Sequence, residues 1–223
     1  MPSLGHAEID VGRGKLQAQI DLRDDAGRDS LRNLIRGADI FSQGYRPGTL
    51  AARGFSPEAV AAVKPGIVYV SLSAYGHVGA WAGKRGFDSL LQTTTGINQA
   101  EAEAFGTPDK PRPLPCQAID HASGYLLALG ALAGLLRRAD EGGSWLVRVS
   151  LATTGHWLRG LGRLPDGFSA PDPSFAEVAD LMDETDSGFG RLTAMRHAGQ
   201  IAGAPPYWAR PAMPLGSSPA VWP

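Results

Sequence analysis

The chain has 223 residues, long enough for one large domain or two small ones around a substantial hydrophobic core. A composition of 43% hydrophobic and 19% charged residues is typical of a folded globular protein. The formal net charge of −1 provides no overall attraction to nucleic acid or to an anionic membrane, so neither is expected as a partner. A single cysteine, Cys116, excludes an intrachain disulfide, and the five histidines lie too far apart for a zinc motif, so no metal site is expected.

The first part of the chain alternates between strand and helix patterns. Strand–helix–strand–helix–strand in this order predicts an α/β fold with a doubly wound, mostly parallel sheet and flanking helices. In such sheets ligands bind at the carboxyl ends of the strands, where this sequence has GYRPG (44–48) and SAYG (73–76). The predicted elements are strand 16–22, helix 24–36, strand 38–41, a helix that starts at Ser56-Pro57 and ends before Pro65, and strand 67–72.

The second part of the chain begins with an irregular loop and ends in a proline-rich tail. An apolar stretch over residues 123–136 is too short to span a bilayer and predicts a buried helix. The N-terminal segment lacks the apolar core of a secretory signal, so we expect a cytoplasmic protein. The predicted elements are loop 98–117, helix 120–138, strand 145–149, helix 151–161, linker 164–174, a short acidic helix at 175–182 and an extended tail from residue 205.

Asp120 opens the most apolar predicted helix, with His121 beside it and Gly124 four residues on. Aspartate is a favoured helix cap, and capping alone accounts for many residues in this position. The same position suits a catalytic carboxylate, because free N–H groups and the positive end of the helix dipole stabilise negative charge. The local pattern leaves both interpretations open.

Basic residues near the predicted strand ends are candidates for holding an anionic ligand, although solvated surface residues give the same pattern. Phosphate-binding loops, dinucleotide-binding fingerprints and serine-nucleophile motifs do not occur in the sequence. The basic candidates are Arg46, Arg53, Lys84 and Arg85.

A series of segments in order, over about residues 10–161, resembles the class III CoA-transferase family, which includes formyl-CoA transferase, carnitine CoA-transferase and α-methylacyl-CoA racemase. Residues 189–222 also resemble a C-terminal tail of some members. The segments are RGK, IDL, GADI, GYRPGTL, VYVSLSAYG, KRGFD, AIDHASGYLLALGALAGLLRR and VRVSLATTGHWL.

The resemblance implies a site. It places Asp120 on the family's catalytic aspartate, which attacks an acyl-CoA thioester. It also implies that coenzyme A is a substrate rather than a bound cofactor, and that the partners are an acyl-CoA and a small carboxylic acid. The residues implied to contact substrate or CoA are Tyr45, Arg46, the loop residues Ser73, Ala74, Tyr75 and Gly76, the basic Arg85 and a second acid, Asp88.

Two alternative functions remain open. An α-methylacyl-CoA racemase needs a second base, but Phe87 occupies the position where the family's racemases have histidine. A non-catalytic chain or half-subunit is the other alternative. Compared with the family, the sequence lacks the first strand and helix before the RGK segment and the small domain after Leu161, and Gly44 replaces an asparagine.

The resemblance also predicts the domain organisation and assembly. Residues 1–163 correspond to a large domain that is incomplete at its N-terminus, and residues 164–223 to a linker, short helices and a tail that packs on the large domain or on a partner. Members of the family are interlocked dimers, so we expect a homodimer or a pair with a homologous chain.

Overall fold

A computed structural model describes residues 5–165 and 167–223 of the chain. The described residues form two compact units. One comprises residues 32–165, and the other combines the segment up to residue 31 with the segment from 167 onward. The helices α1 (Gly5–Val11) and α2 (Asp25–Arg36) precede the larger unit, and α2 continues into it.

The larger unit contains a parallel sheet flanked by helices, as the sequence predicts. Among the described residues this sheet has three strands in the order β1–β2–β3, with Ile40 opposite Val68 and Val68 opposite Trp145. Its elements are β1 (Ile40–Gln43), α3 (Pro57–Val63), β2 (Val68–Ser73), α4 (Asp88–Thr94), α5 (Ile97–Ala104), α6 (Ala118–Glu141), β3 (Trp145–Ser150) and α7 (Leu151–Gly160), with a 3₁₀ turn at Ala51–Arg53.

Local chemistry sets the bounds of several elements. Ser56 caps α3 by accepting a hydrogen bond from the N–H of Ala59 at 3.2 Å, and Pro57 occupies the first helical position, which confirms the predicted start. Ser150 caps α7 in the same way through the N–H of Thr153. The central strand β2 is almost entirely buried, as expected for an apolar run between two neighbours.

Two glycines allow α6 to lie close to the sheet. A Cβ at Gly134 would lie 2.8 Å from Val68 Cγ1, and one at Gly130 would lie 2.5 Å from Val147 Cγ1. Beneath the helix, Val68 and Val70 form a buried cluster with Ala131. A second cluster fills the space near the carboxyl ends of the strands, and its buried members are Ala74, Leu91, Ile97, Ile119 and Leu151.

Helix α6 is longer and more exposed than predicted. It has 24 residues, and its most apolar 18-residue window has a mean hydropathy of 1.4, enough by length and composition to cross a membrane. That is weak support for a membrane span, because core helices meet the same criteria. Only 22% of the window is buried within this chain, so the prediction of a buried helix holds for one face only. The other face exposes Tyr125, Leu129, Leu132 and Leu136.

The smaller unit contains an antiparallel hairpin and a tail without regular structure. The hairpin joins β4 (Met182–Ser187) to β5 (Gly190–Met195) through Gly188 and Phe189. Before the hairpin, the smaller unit has 3₁₀ turns at Gly167–Ser169 and Ala176–Leu181, where the sequence predicts a linker and a short helix. The tail from residue 205 has no helix or strand in the described structure, as its prolines predict.

Two predicted segments have a different structure, and one observed element is absent from the prediction. Residues 16–22 do not form a strand; their recorded pairing is with the tail, where Ser218 N–H donates to Gln17 O at 3.0 Å. The predicted loop 98–117 contains most of α5, because Gly96 at φ +79° starts a new helix directly after α4. The hairpin was not predicted, because the acidic run of β4 lacks the apolar alternation of a typical strand.

Candidate active site at the carboxyl end of the sheet

Asp120 lies in the first turn of α6, exposed to solvent. The helix begins two residues earlier than predicted, at Ala118, and its cap position is Gln117, which makes no capping side-chain bond. The capping interpretation of Asp120 is therefore wrong. Among the described residues the carboxylate of Asp120 makes no recorded hydrogen bond, which leaves it available to a ligand.

Asp88 lies directly beside Asp120. It is the first residue of α4 and is 0% exposed, and its Oδ2 accepts the backbone N–H of Asp120 at 2.8 Å. The other oxygen, Oδ1, accepts a hydrogen bond from Gln92 Nε2. The structure thus brings together the two acids that the resemblance singles out, although they lie 32 residues apart in the sequence.

The surroundings of Asp120 favour its neutral form. Partial desolvation by neighbouring atoms raises the pKa of Asp120 most, the charge of Asp88 raises it further, and His121 acts in the opposite direction. The residue is nonetheless exposed overall, so the desolvation of its carboxyl group is only partial. Such a carboxylate is a better nucleophile than one stabilised by several donors.

The backbone at the start of α6 is partly engaged already. Asp120 N–H binds Asp88, and His121 N–H donates to Gln117 O at 3.1 Å. Neither group faces a ligand in this conformation. Stabilisation of an oxyanion by the helix N-terminus, as inferred from the sequence, is therefore restricted to the other N–H groups of the first turn.

The SAYG loop follows β2 and packs against the start of α4. A Cβ at Gly86 would lie 3.0 Å from the Cβ of Ala74 and 3.4 Å from Tyr75, so the glycine permits this close approach. Ala74 is buried in the core, and Tyr75 makes an edge contact with Trp81 at 5.1 Å between ring centroids. Neither side chain lines the cavity at the carboxyl ends of β1 and β2.

A cavity of about 180 Å³ lies at the carboxyl ends of β1 and β2. Tyr45 and Arg46 line it from the GYRPG turn, and Ser73 lines it from the end of β2, with its Oγ accepting Gly76 N–H at 3.1 Å. Gln43 orients the turn, because its Oε1 accepts the N–H of Tyr45 at 2.9 Å. Three predicted ligand residues therefore share one cavity.

Two predicted residues lie elsewhere. Gly76 lines a second, more apolar cavity of about 580 Å³ between α6, β3 and α7, where it has φ +94°. Arg85 is exposed and does not line the Tyr45–Arg46 cavity. Asp120 and Asp88 do not line that cavity either. The predicted residues are therefore divided between the Tyr45–Arg46 cavity, the Asp88–Asp120 pair and positions in neither.

Sequence reasoning missed two polar residues that line both cavities, His77 and Arg148. Arg148 interrupts an apolar strand, and a charge at such a position could have been noticed. The Nε2 of His77 is buried and has no hydrogen-bond partner among the described residues. Burial lowers the pKa of His77 most, and the charge of Arg148 lowers it further, which favours a neutral imidazole.

Within the part of the chain that the structure describes, no cluster of histidine, cysteine, aspartate or glutamate could hold a metal ion. The chemistry available at the site is that of carboxylates, an imidazole and guanidinium groups. A carboxylate can form a covalent acyl intermediate without a further cofactor.

A family model described as CoA-transferase family III matches residues 8–162. The chain belongs to CoA-transferase family III. It is 30% identical over 150 residues to the probable fatty acyl-CoA transferase Rv3272 of Mycobacterium tuberculosis, covering 67% of this chain and 37% of the relative. It is 29% identical over 143 residues to the acetyl-CoA:oxalate CoA-transferase of Acetobacter aceti, covering 63% and 36%.

Solved structures agree with the fold of this family III chain. A crystal structure of Rv3272 superimposes with a TM-score of 0.62 over 67% of this chain and 41% of that one, at 30% identity. A CaiB/BaiF family protein from Brucella suis has the same fold with a TM-score of 0.62 at 23% identity, covering 81% and 48%. The family III chain spans little more than a third of the length of the two curated relatives.

Proposed function

We propose that this chain carries the nucleophile of a CoA-transferase that moves CoA between an acyl-CoA thioester and a carboxylic acid. Membership of the family and relatives named as acyl-CoA transferases support this kind of reaction. The observation that supports the nucleophile is the exposed carboxylate of Asp120, which stands in the first turn of α6 beside the buried Asp88.

The chemistry balances without an external cofactor. The carboxylate of Asp120 attacks the thioester carbonyl, forming a mixed anhydride and releasing the CoA thiolate. The thiolate attacks the aspartyl carbonyl of the anhydride, which gives an aspartyl-CoA thioester and frees the first carboxylic acid. The acceptor carboxylate then attacks that thioester, which forms a second mixed anhydride with Asp120 and releases the thiolate again. The thiolate attacks the acceptor carbonyl of this anhydride, which breaks the bond to the Asp120 oxygen and gives the new acyl-CoA. Asp120 is regenerated as a carboxylate.

A trapping experiment tests this route. The chain is incubated with acyl-CoA and then treated with hydroxylamine or borohydride, and the Asp120 peptide is examined by mass spectrometry. An aspartyl-CoA thioester yields a hydroxamate or a homoserine residue at position 120. CoA exchange across a panel of acyl-CoAs and carboxylic acids supplies the turnover measurement. Exchange with no modification at Asp120 would contradict the nucleophile.

The substrates are proposed only as a class. One relative is named for oxalate and others for D-citramalate and glutarate, so acceptor acids differ among relatives of similar identity. We propose an acyl-CoA and a small carboxylic acid, with Tyr45 and Arg46 in contact with CoA. A guanidinium on a cavity wall can hold a phosphate through charge-assisted hydrogen bonds.

Racemisation is less well supported than transfer. Phe87, at the position where the resemblance requires a histidine base, is 63% exposed and carries no titratable group. The Asp120 carboxylate would be left without a second base on the opposite face of the α-carbon.

We also propose that the chain works as a homodimer or with a homologous chain, and that it is cytoplasmic. The exposed apolar face of α6 supports an additional contact surface, because large apolar patches are rare on isolated monomers. Such an assembly would also fit a half-subunit that is inactive alone. Light scattering at low micromolar concentration distinguishes these states, and a stable active monomer would contradict the assembly.

A further inference from the structure

Gln92 is a buried polar residue next to the candidate nucleophile, and the mechanism above gives it no role. It lies on α4, one turn after Asp88, and is 2% exposed. Burial of an amide is unfavourable unless its hydrogen bonds are satisfied. A buried amide at this position therefore requires hydrogen-bond partners within the fold.

Each hydrogen-bonding direction of the Gln92 amide is used. Nε2 donates to Asp88 Oδ1 and to the carbonyl oxygen of Cys116, the latter at 3.1 Å. Oε1 accepts the backbone N–H of Leu114 at 2.8 Å. An amide is the side-chain group that offers two donors and an acceptor within one plane. A carboxylate lacks the donors, and an apolar side chain of the same size lacks all three.

These three partners connect Gln92 to the start of α6. Leu114 and Cys116 belong to the segment that leads into α6, which begins at Ala118. Asp88 holds the N–H of Asp120 through its other oxygen. The amide thus connects the incoming segment and the buried acid to the first turn of α6.

We propose that Gln92 is a positioning residue for the reaction, which fixes Asp88 and the segment 114–116 and thereby the orientation of the Asp120 carboxylate. This inference rests on the proposed function of Asp120. A displacement of about 1 Å at a reacting group can lower a rate roughly 100-fold. The role of Gln92 therefore concerns kcat rather than substrate affinity.

The first test compares Gln92→Leu with Gln99→Leu. Gln99 is an exposed glutamine on α5 whose amide binds Glu103 and the Pro108 carbonyl, so the same substitution there is a matched control. We expect Gln92→Leu to lower kcat roughly 10- to 100-fold with KM for acyl-CoA changed less than about two-fold. Gln99→Leu should leave both unchanged. A folded Gln92→Leu variant with wild-type kcat overturns the proposal.

A second variant, Gln92→Glu, has a signature that a merely structural role would not produce. The carboxyl group that this substitution introduces can donate to Asp88 when it is protonated, whereas it repels Asp88 when it is ionised. The titratable residues near this point include Asp88 and Cys116, which bind the Gln92 amide, and Asp120 and His121 at the start of α6. We expect activity that falls as pH rises through the titration of the introduced carboxyl group, while wild-type activity rises with the ionisation of Asp120. Parallel pH profiles for the wild type and Gln92→Glu overturn the proposal. This test remains decisive even when the Gln92→Leu variant does not fold.

A third measurement does not depend on turnover. The titration of the Asp120 carboxyl can be followed by carbon NMR in the wild type and in Gln92→Leu. Because Asp88 loses one of its two hydrogen-bond donors, its position and its electrostatic effect on Asp120 change, and we expect the Asp120 midpoint to differ from that of the wild type by at least about half a pH unit. An unchanged midpoint overturns the proposal. If the wild type transfers no CoA but the midpoint moves, the proposed function fails and the positioning role of Gln92 stands.

Discussion

The two groups of candidate residues are held in place by different means. Asp88 is buried on α4, where it accepts hydrogen bonds from the Gln92 amide of the same helix and from the backbone N–H of Asp120 on α6. Tyr45 and Arg46 lie in an exposed turn after β1, where Gln43 and backbone geometry hold the chain but leave the side chains in solvent. The first arrangement resists displacement, and the second permits adjustment around a ligand.

This difference indicates a division of labour. Bond-forming groups need a defined distance and direction, which buried polar networks provide. Side chains that bind a flexible, highly charged substrate such as CoA must instead be able to move to its charged groups. Substitutions in the first group should therefore affect kcat, and substitutions in the second should affect binding.

The largest effect is expected from Asp120→Ala. Removing the carboxylate removes the covalent route, so CoA transfer should fall to background in an exchange assay. The fold should remain intact, because Asp120 is exposed and is not the helix cap. Circular dichroism and thermal unfolding are the controls. Retained turnover in the purified variant would show that another group is the nucleophile.

Asp88→Asn should have the next largest effect, a loss of kcat of roughly 10- to 100-fold. The new amide presents donors toward Gln92 Nε2 or Asp120 N–H, where the carboxylate accepts both bonds. Loss of the Asp88 charge also removes one cause of the raised pKa of Asp120, so the rise of activity with pH should move to lower pH. Asp109→Asn in an exposed loop is the matched control. If the pH profile of activity does not move in Asp88→Asn, the charge of Asp88 does not affect the ionisation of Asp120 during the reaction.

Arg46→Ala should weaken CoA binding about 10-fold or more, because a charge-assisted hydrogen bond contributes about 1.5–3 kcal/mol. We expect a smaller loss for Arg85→Ala, since Arg85 does not line the same cavity. Calorimetry with CoA measures both. Equal losses would indicate that the loop carrying Arg85 moves toward the ligand, and unchanged affinity in Arg46→Ala would exclude a direct contact.

The smallest effect concerns stability. The pKa of Asp120 is raised in the folded chain above its ordinary value of 3.8, so the folded state binds the proton more tightly than the unfolded state. The free energy of unfolding therefore falls as pH rises from about 3.8 through the raised pKa. The side chain of the Asp120→Asn variant does not ionise, so its free energy of unfolding does not fall in this way. The Tm of the variant should therefore exceed that of the wild type by about 1 °C at neutral pH and by less near pH 4. A Tm difference that does not vary with pH would contradict the assignment.

The sequence predicts the parallel sheet well, because its strands are short apolar runs separated by residues that start or end helices. Ser56-Pro57 sets a helix start, and the buried run of β2 sets the central strand. The prediction of a strand at 16–22 was wrong. Apolar alternation suits a strand, but a strand also needs a neighbouring strand with which it can form a ladder of hydrogen bonds. Among the described residues, that segment pairs with the tail only at isolated points.

The site was predictable by resemblance and less so by pattern. Asp120 and Asp88 were singled out, and the structure brings them together, although their roles stay predictions. The helix cap was misassigned because Gln117, an unusual cap, offers no sequence signal. The role of Gln92 could not be found from spacing alone, since two of its three partners are a backbone N–H and a backbone carbonyl 22 and 24 residues away.

The register of the sheet has a consequence for synthesis on the ribosome. Val68 of the central strand pairs with Trp145, so β3 can join only after the intervening 76 residues, including all of α6, have been made. Contacts between such distant segments form slowly, because the connecting chain loses entropy before the pairing compensates for it. During that interval α6 emerges with apolar side chains on both faces. We therefore expect the co-translational folding yield of this chain to fall when elongation through residues 69–144 is slowed, and to recover when chaperones are added.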